Sequence, residues 1–157
     1  MTVAEAIHQM PLAVALRGGH GLYLALGTVH LAAIALLFGS VVLVDLRMLG
    51  LARQLPARQL AGLALPWTML AFLVAIITGS LLFIAHADEL VNNRVFIAKL
   101  GLICAAGVNA AIFHTGPYAK VADWDTAGPP AGARLCAGLS ILIWLGVIAC
   151  GRAILYP

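Results

Sequence analysis

Apolar residues fill four long stretches of this chain, separated by short polar breaks. The first stretch, Gly21–Val44, reads GLYLALGTVHLAAIALLFGSVVLV: 24 residues with no formal charge and one histidine, His30. A helix rises about 1.5 Å per residue, so about 20 such residues cross the hydrocarbon core of a bilayer. Three further runs repeat the pattern, and the spans are predicted at about 21–45, 60–86, 94–114 and 133–153. None of them alternates apolar and polar residues at every second position, as a barrel strand would. A backbone in lipid must satisfy its own hydrogen bonds, which leaves helices.

The polar breaks place the ends. Asp45, Arg47 and Met48 close the first span, and Gly50–Arg58 forms a loop. Pro66 lies inside the second run and predicts a kink or a helix start there. Asp88-Glu89 and Asn92-Asn93 mark a turn, and either asparagine is suited to cap the third span. That span carries Lys99 one turn in and Asn109 near its middle, with Gly101, Ala105 and Asn109 on one face. The longest connection, Thr115–Arg134, holds Asp123 and Asp125 around Trp124. Before the first span, Val3, Ile7 and Met10 recur at helical spacing, and Pro11 breaks or restarts the helix. Glu5 stands where a signal peptide would be positive, and no clear cleavage site follows. Short links favour antiparallel neighbours. The expected fold is therefore all-α, a single domain over 1–157. It is an integral membrane four-helix up-down bundle with a short N-terminal amphipathic helix.

Composition agrees. Of 157 residues, 63% are hydrophobic and 10% charged, and the mean hydropathy is +1.04. A soluble domain of this size has no core able to hide that much apolar surface. The net charge of +3 and a pI near 9.0 do not indicate nucleic acid, because the basic residues are scattered and form no cluster with aromatics. They set orientation instead. Arg47, Arg53, Arg58, Lys120 and Arg134 share one side. Arg17, Arg94 and Arg152 share the other, with Lys99 snorkelling from within its span. The excess puts the 1–2 and 3–4 loops in the cytoplasm and both termini outside. Cys104, Cys136 and Cys150 all fall in apolar runs without a CxxC, consistent with buried small hydrophobes.

Polar groups inside a span are costly, so each is a candidate for function. Counting at about 1.5 Å per residue, His30 lies about 12–14 Å below the outer edge and His114 about 28 Å below it, so the two cannot share one ligand within a subunit. Two groupings survive. The outer one is His20, His86, Thr78, Lys99 and the deeper His30, with His20 and His86 level enough to hold a haem iron from opposite sides. The inner one is Asp45, Arg47, Trp67 and His114, where Asp45 or a backbone carbonyl would orient the imidazole. For His30, a packing hydrogen bond, a haem or metal ligand, and a proton or quinone role all stay open. His20, His86 and His114 are equally suited to be interfacial anchors, Asn109 to be helix glue, and Lys99 to meet a lipid phosphate or a haem propionate.

The strings HLAAIALLFGSVVLVDLRMLGL, PWTMLAFLVAIITGSLLF and NNRVFIAKLGLICAAGVNAAIFH, over about residues 30–114, resemble an uncharacterised family of small bacterial inner-membrane proteins. The matching residues are His30, Asp45, Arg47, Pro66, Trp67, Phe96, Lys99, Asn109 and His114. In architecture the family is loosely similar to the copper-resistance D membrane domain and to small b-type cytochrome domains. The resemblance implies a multi-pass protein of the bacterial inner membrane. Three functions are expected as alternatives. One is haem b binding for electron transfer, using His30, His20, His86 and His114 as ligands, Lys99 at a propionate, and a redox partner. The second is copper handling by His30, His20 and His86 with soft ligands such as Met69 or Cys104. The third is a cofactor-free accessory subunit or homo-oligomer. No GxSxG, HExxH or P-loop pattern indicates a hydrolase or transferase.

Overall fold

A computed structural model of the chain describes residues 3–125 and 128–154, and every regular element in it is helical. Two short helices come first, α1 (Val3–His8) and α2 (Pro11–Gly18). The long helices α3 (His20–Met48) and α4 (Ala57–Ala85) follow, then α5 (Ala87–Leu90) and the long α6 (Arg94–Thr115). A 3-10 turn (Tyr118–Lys120) and α7 (Val121–Trp124) lead to the last long helix, α8 (Ala131–Ala153). Helices α3, α4, α6 and α8 are long and apolar enough to cross a membrane. Leucines cover their outer surfaces, with Leu24 71% and Leu135 73% exposed. Such a surface is stable against lipid and an aggregation hazard in water.

The ends follow local chemistry. Asn93 is the asparagine that caps α6, its Oδ1 accepting from the Val95 and Phe96 amides at 2.9 and 3.1 Å. Pro11 restarts the chain as the first residue of α2, where its missing N–H is no loss. Of the two expectations at Pro66, the helix start is corrected: α4 starts at Ala57 and continues through Pro66 to Ala85. Pro66 sits on an exposed side of α4, away from the small-residue seam described next.

That seam holds α3 and α4 together. Ala57, Ala64, Ala71, Thr78 and Ala85 recur every seven residues along α4, and all are buried. A seven-residue repeat of small side chains keeps one stripe against a neighbour and lets backbones approach closely. The same spacing puts Ala133, Ser140 and Val147 in the seam of α8. Antiparallel neighbours result: α3 packs on α4, α8 packs on α6, and α3 packs on α8. The fourth side of the bundle is different, because α4 and α6 do not pack along their length. They touch where they are joined, by the stacked rings of Phe83 and Phe96 at 5.3 Å. At the opposite end, α7 bridges from the foot of α6 to α4.

Both ends of the bundle are fastened. Where the chain enters α3, Arg17 donates to the carbonyl oxygens of His8 (2.7 Å) and Ala85 (3.0 Å). The Ala85 carbonyl belongs to the last turn of α4, whose oxygens lack helical partners. His8 Nδ1 lies 2.9 Å from Asp88, so α1 and α2 fold down over α4 and α5. At the other end, the connection that links α6 to α8 is drawn inward by the Trp124 indole, which donates to Pro117 O at 2.8 Å.

Candidate functional site

Two charged residues leave the last turns of α3 on different sides. Positions 45 and 47 are about 200° apart around a helix. Arg47, only 2% exposed, turns to the connection end. Its Nη2 pairs with Asp125 Oδ1 at 3.2 Å and its Nε donates to Leu55 O at 2.7 Å. Asp125 also accepts from the Ala57 amide at 2.7 Å, which caps α4. One carboxylate thus ties together α3, α4 and the 3–4 connection.

Asp45 points the other way, into the interior left by the separation of α4 and α6. It lines a cavity of about 180 Å³ formed by all four long helices. The residue is 9% exposed, and its Oδ2 is buried with no hydrogen-bond partner among the described residues. Ser140 of α8, also buried, interacts with the same carboxyl group. Across the cavity stand Asn109 and His114 of α6. Asn109 Nδ2 donates to Cys136 O at 3.0 Å and so fastens α6 to α8, the interhelical role expected for it. The walls are otherwise apolar and aromatic, including Met69, Phe72, Phe113 and Trp144. Met69 and Gly107 stand at the rim between α4 and α6, and both are exposed there.

The inner grouping is therefore half assembled. Asp45 and His114 share the cavity, but the expected contact between them is corrected. The His114 ring packs edge-on against Tyr118 at 5.1 Å and makes no hydrogen bond to Asp45 among the described residues. Arg47 belongs to the Asp125 cluster. Trp67 faces outward at 53% exposure, because Leu65, Thr68, Met69 and Phe72 already occupy the cavity face of α4 at helical spacing.

His30 lies elsewhere, against α4 nearer the entrance to α3. Its Nδ1 is 2.8 Å from Thr78 Oγ1, and that hydroxyl donates to Val74 O at 2.7 Å. The Thr78 proton being committed, His30 Nδ1–H is the donor of the pair, and the ring also meets the backbone at Ala75. Gly79 makes room for the ring: a Cβ there would stand 3.0 Å from His30 Cε1. Lys99 is near enough to act on His30 electrostatically, and it lies beside Gly151 and Cys150 of α8. Of the outer grouping, the structure brings His30, Thr78 and Lys99 together. His86, at the C-terminal cap of α4, sits edge-on to Tyr23 at 5.5 Å. The His20 side chain lies outside the described residues. Among the described residues, no three His, Cys, Asp or Glu side chains lie close enough to hold a metal ion together.

Sequence reasoning does not find Asp125 as the partner of Arg47, nor the open side of the bundle. The first has a signal: a charge at the end of an apolar span, with two acidic residues flanking a tryptophan in the longest loop. The seven-residue alanine repeat of α4 is legible too.

The chain belongs to DUF6644, a family of unknown function whose family model matches residues 4–157. This fits the expected uncharacterised family. No curated protein and no solved structure matches the chain, so the expected likeness to the copper-resistance D domain or to b-type cytochromes has no support from relatives.

Proposed function

We propose that this chain is a multi-pass protein of the bacterial inner membrane that binds a small apolar molecule from the lipid phase in the cavity at Asp45. The observation that carries this reading is the buried Asp45 Oδ2, without a partner among the described residues, in a cavity whose walls are mostly apolar and aromatic, with Thr68, Asn109, His114 and Ser140 as their other polar members. Burying a carboxyl oxygen unpaired is costly, and such a group calls for an explanation, of which a bound molecule is one. The volume is of a useful size, since an apolar cavity of about 150 Å³ accepts a benzene ring. The opening between α4 and α6 gives access from the side, through the rim of Met69 and Gly107. The basic residues near the connection end favour that end in the cytoplasm, with the chain entering α3 from the periplasmic side.

Haem b and copper, the cofactors expected from the histidines, draw less support from this arrangement. His30 is engaged by Thr78, His86 lies against Tyr23, and His114 lies against Tyr118. These are three separate surroundings.

The test is to purify the protein in mild detergent, extract it, and identify co-purifying small molecules by mass spectrometry beside Gly107→Leu. An added side chain at Gly107 meets nothing within 4 Å of its Cβ, so this variant narrows the rim without a core clash. One organic species in the wild type, depleted in Gly107→Leu, is the expected result. Equal recovery from both proteins, or none from either, defeats the reading and leaves the accessory-subunit alternative ahead. A haem α-band in the reduced optical spectrum of the same sample would replace it with the haem reading.

A further inference from the structure

The wall chemistry of the cavity names the class of molecule, on the condition that the cavity is the binding site. Two of its hydrogen-bond donors are spent inside the protein. Thr68 Oγ1 donates to Ala64 O at 3.0 Å, and Asn109 Nδ2 donates to Cys136 O. An unpartnered buried acceptor remains on offer, the Asp45 Oδ2, with the rings of His114 and Trp144 as the other polar groups in the lining. No lysine or arginine is among the residues that line the cavity. The nearest cation along α3, Arg47, is paired with Asp125 on the other side of the helix. An anionic head, such as a fatty-acid carboxylate or a lipid phosphate, would therefore meet a carboxyl group with no cation to offset it. A neutral head would satisfy Oδ2 as a hydrogen-bond partner but would do nothing to favour the ionised carboxylate.

The apolar walls point the same way. Phe72, Phe113 and Trp144 line the same cavity as the acidic group. A carboxylate set among aromatic rings is the pairing that recognises organic ammonium ions, by a charge-assisted hydrogen bond and by cation–π attraction. We propose that the ligand is a small lipophilic amine in its ammonium form, one N–H donating to Asp45 Oδ2 and its apolar body lying against Phe72, Phe113 and Trp144. The free volume fits one aromatic ring, and a longer tail would leave through the gap between α4 and α6.

Three probes that share a phenyl ring and differ in the head group test this: phenethylammonium, phenethyl alcohol and hydrocinnamate. Each is titrated into the full chain in neutral detergent, by equilibrium dialysis against a protein-free micelle blank, and again with Asp45→Asn. Saturable binding of the ammonium, about tenfold tighter than the alcohol, is expected from one charge-assisted contact, with no saturable binding of the carboxylate. Asp45→Asn should abolish the advantage of the ammonium over the alcohol. If the alcohol binds wild type as tightly as the ammonium, or the ammonium advantage survives in Asp45→Asn, the amine assignment is overturned while the cavity still stands as a binding site. If none of the three binds saturably, the assignment is also overturned, and the co-purification comparison with Gly107→Leu decides separately whether the cavity binds anything. Should Asp45→Asn fail to fold, the order of the three probes on wild type alone still upholds or overturns the assignment.

Discussion

Asp45 and Arg47 are two residues apart on one helix, both buried, and opposite in outcome. Arg47 is held by Asp125 and the Leu55 carbonyl, in a cluster that also caps α4, and only its Nη1 is buried without a partner among the described residues. Asp45 keeps an oxygen unpaired beside a cavity. A buried charge with its partner supports the local structure, and removing the partner is costly. A buried charge without one destabilises, and its retention calls for another explanation. The connection end of the bundle is thus built for rigidity, and the open side between α4 and α6 is built for something to arrive.

The contrast can be broken most forcefully at Asp125. Asp125→Ala strands the Arg47 guanidinium and uncaps α4, and a loss of about 3 kcal/mol is expected in detergent unfolding monitored by circular dichroism. A loss below about 0.5 kcal/mol would reduce the ion pair to an ordinary surface contact. His30 supplies an intermediate case on the same helix. Gly79→Ala puts a methyl group 3.0 Å from the ring and must displace it from Thr78. The expected loss is about 1–2 kcal/mol, with His30→Leu in the same background restoring part of it by removing the clash and the orphaned nitrogen. Asn109 should matter less. Interhelical hydrogen bonds in membrane proteins average about 0.6 kcal/mol, and Asn109→Leu should lower stability by about that amount in the same unfolding assay.

The smallest change in stability is expected at the site itself. Asp45→Asn removes a carboxyl group that has no cationic partner and leaves an amide that can still meet Ser140, so unfolding of the ligand-free protein should stay within about 0.5 kcal/mol of wild type or rise slightly. A loss as large as that of Asp125→Ala would show that Asp45 is structural and erase the contrast.

Much of the fold is legible in the sequence, for a physical reason. Each long helix must meet the hydrophobic requirement of the bilayer by itself, so the runs from Gly21 and from Val95 declare their helices without reference to any neighbour. Asn93, through its side-chain oxygen, and Pro11, through its ring, act on the backbone beside them and are legible too. Pro66 misleads as a helix start because a proline ends a helix only where the lost hydrogen bond outweighs packing, and the alanine seam on both sides of it carries the helix through. The site is harder to read. His30 draws attention as the only histidine deep in the first span, but its partner Thr78 is 48 positions away. Asp45 and His114 belong together by depth, which counting residues can supply. The same counting places Trp67 and Arg47 with them wrongly, because depth says nothing about which way a residue points around its helix. The gap between α4 and α6 is a fact of packing between helices, and no local pattern records it.

The most direct measurement is an experimental structure of the protein in a lipid bilayer, such as a nanodisc, at a resolution that shows side chains. The expected result is α4 and α6 parted at Met69 and Gly107, with non-protein density between them that ends against Asp45. If instead α4 and α6 meet along their length and Asp45 is paired with a group of the protein itself, the cavity is no site and the proposed function is wrong.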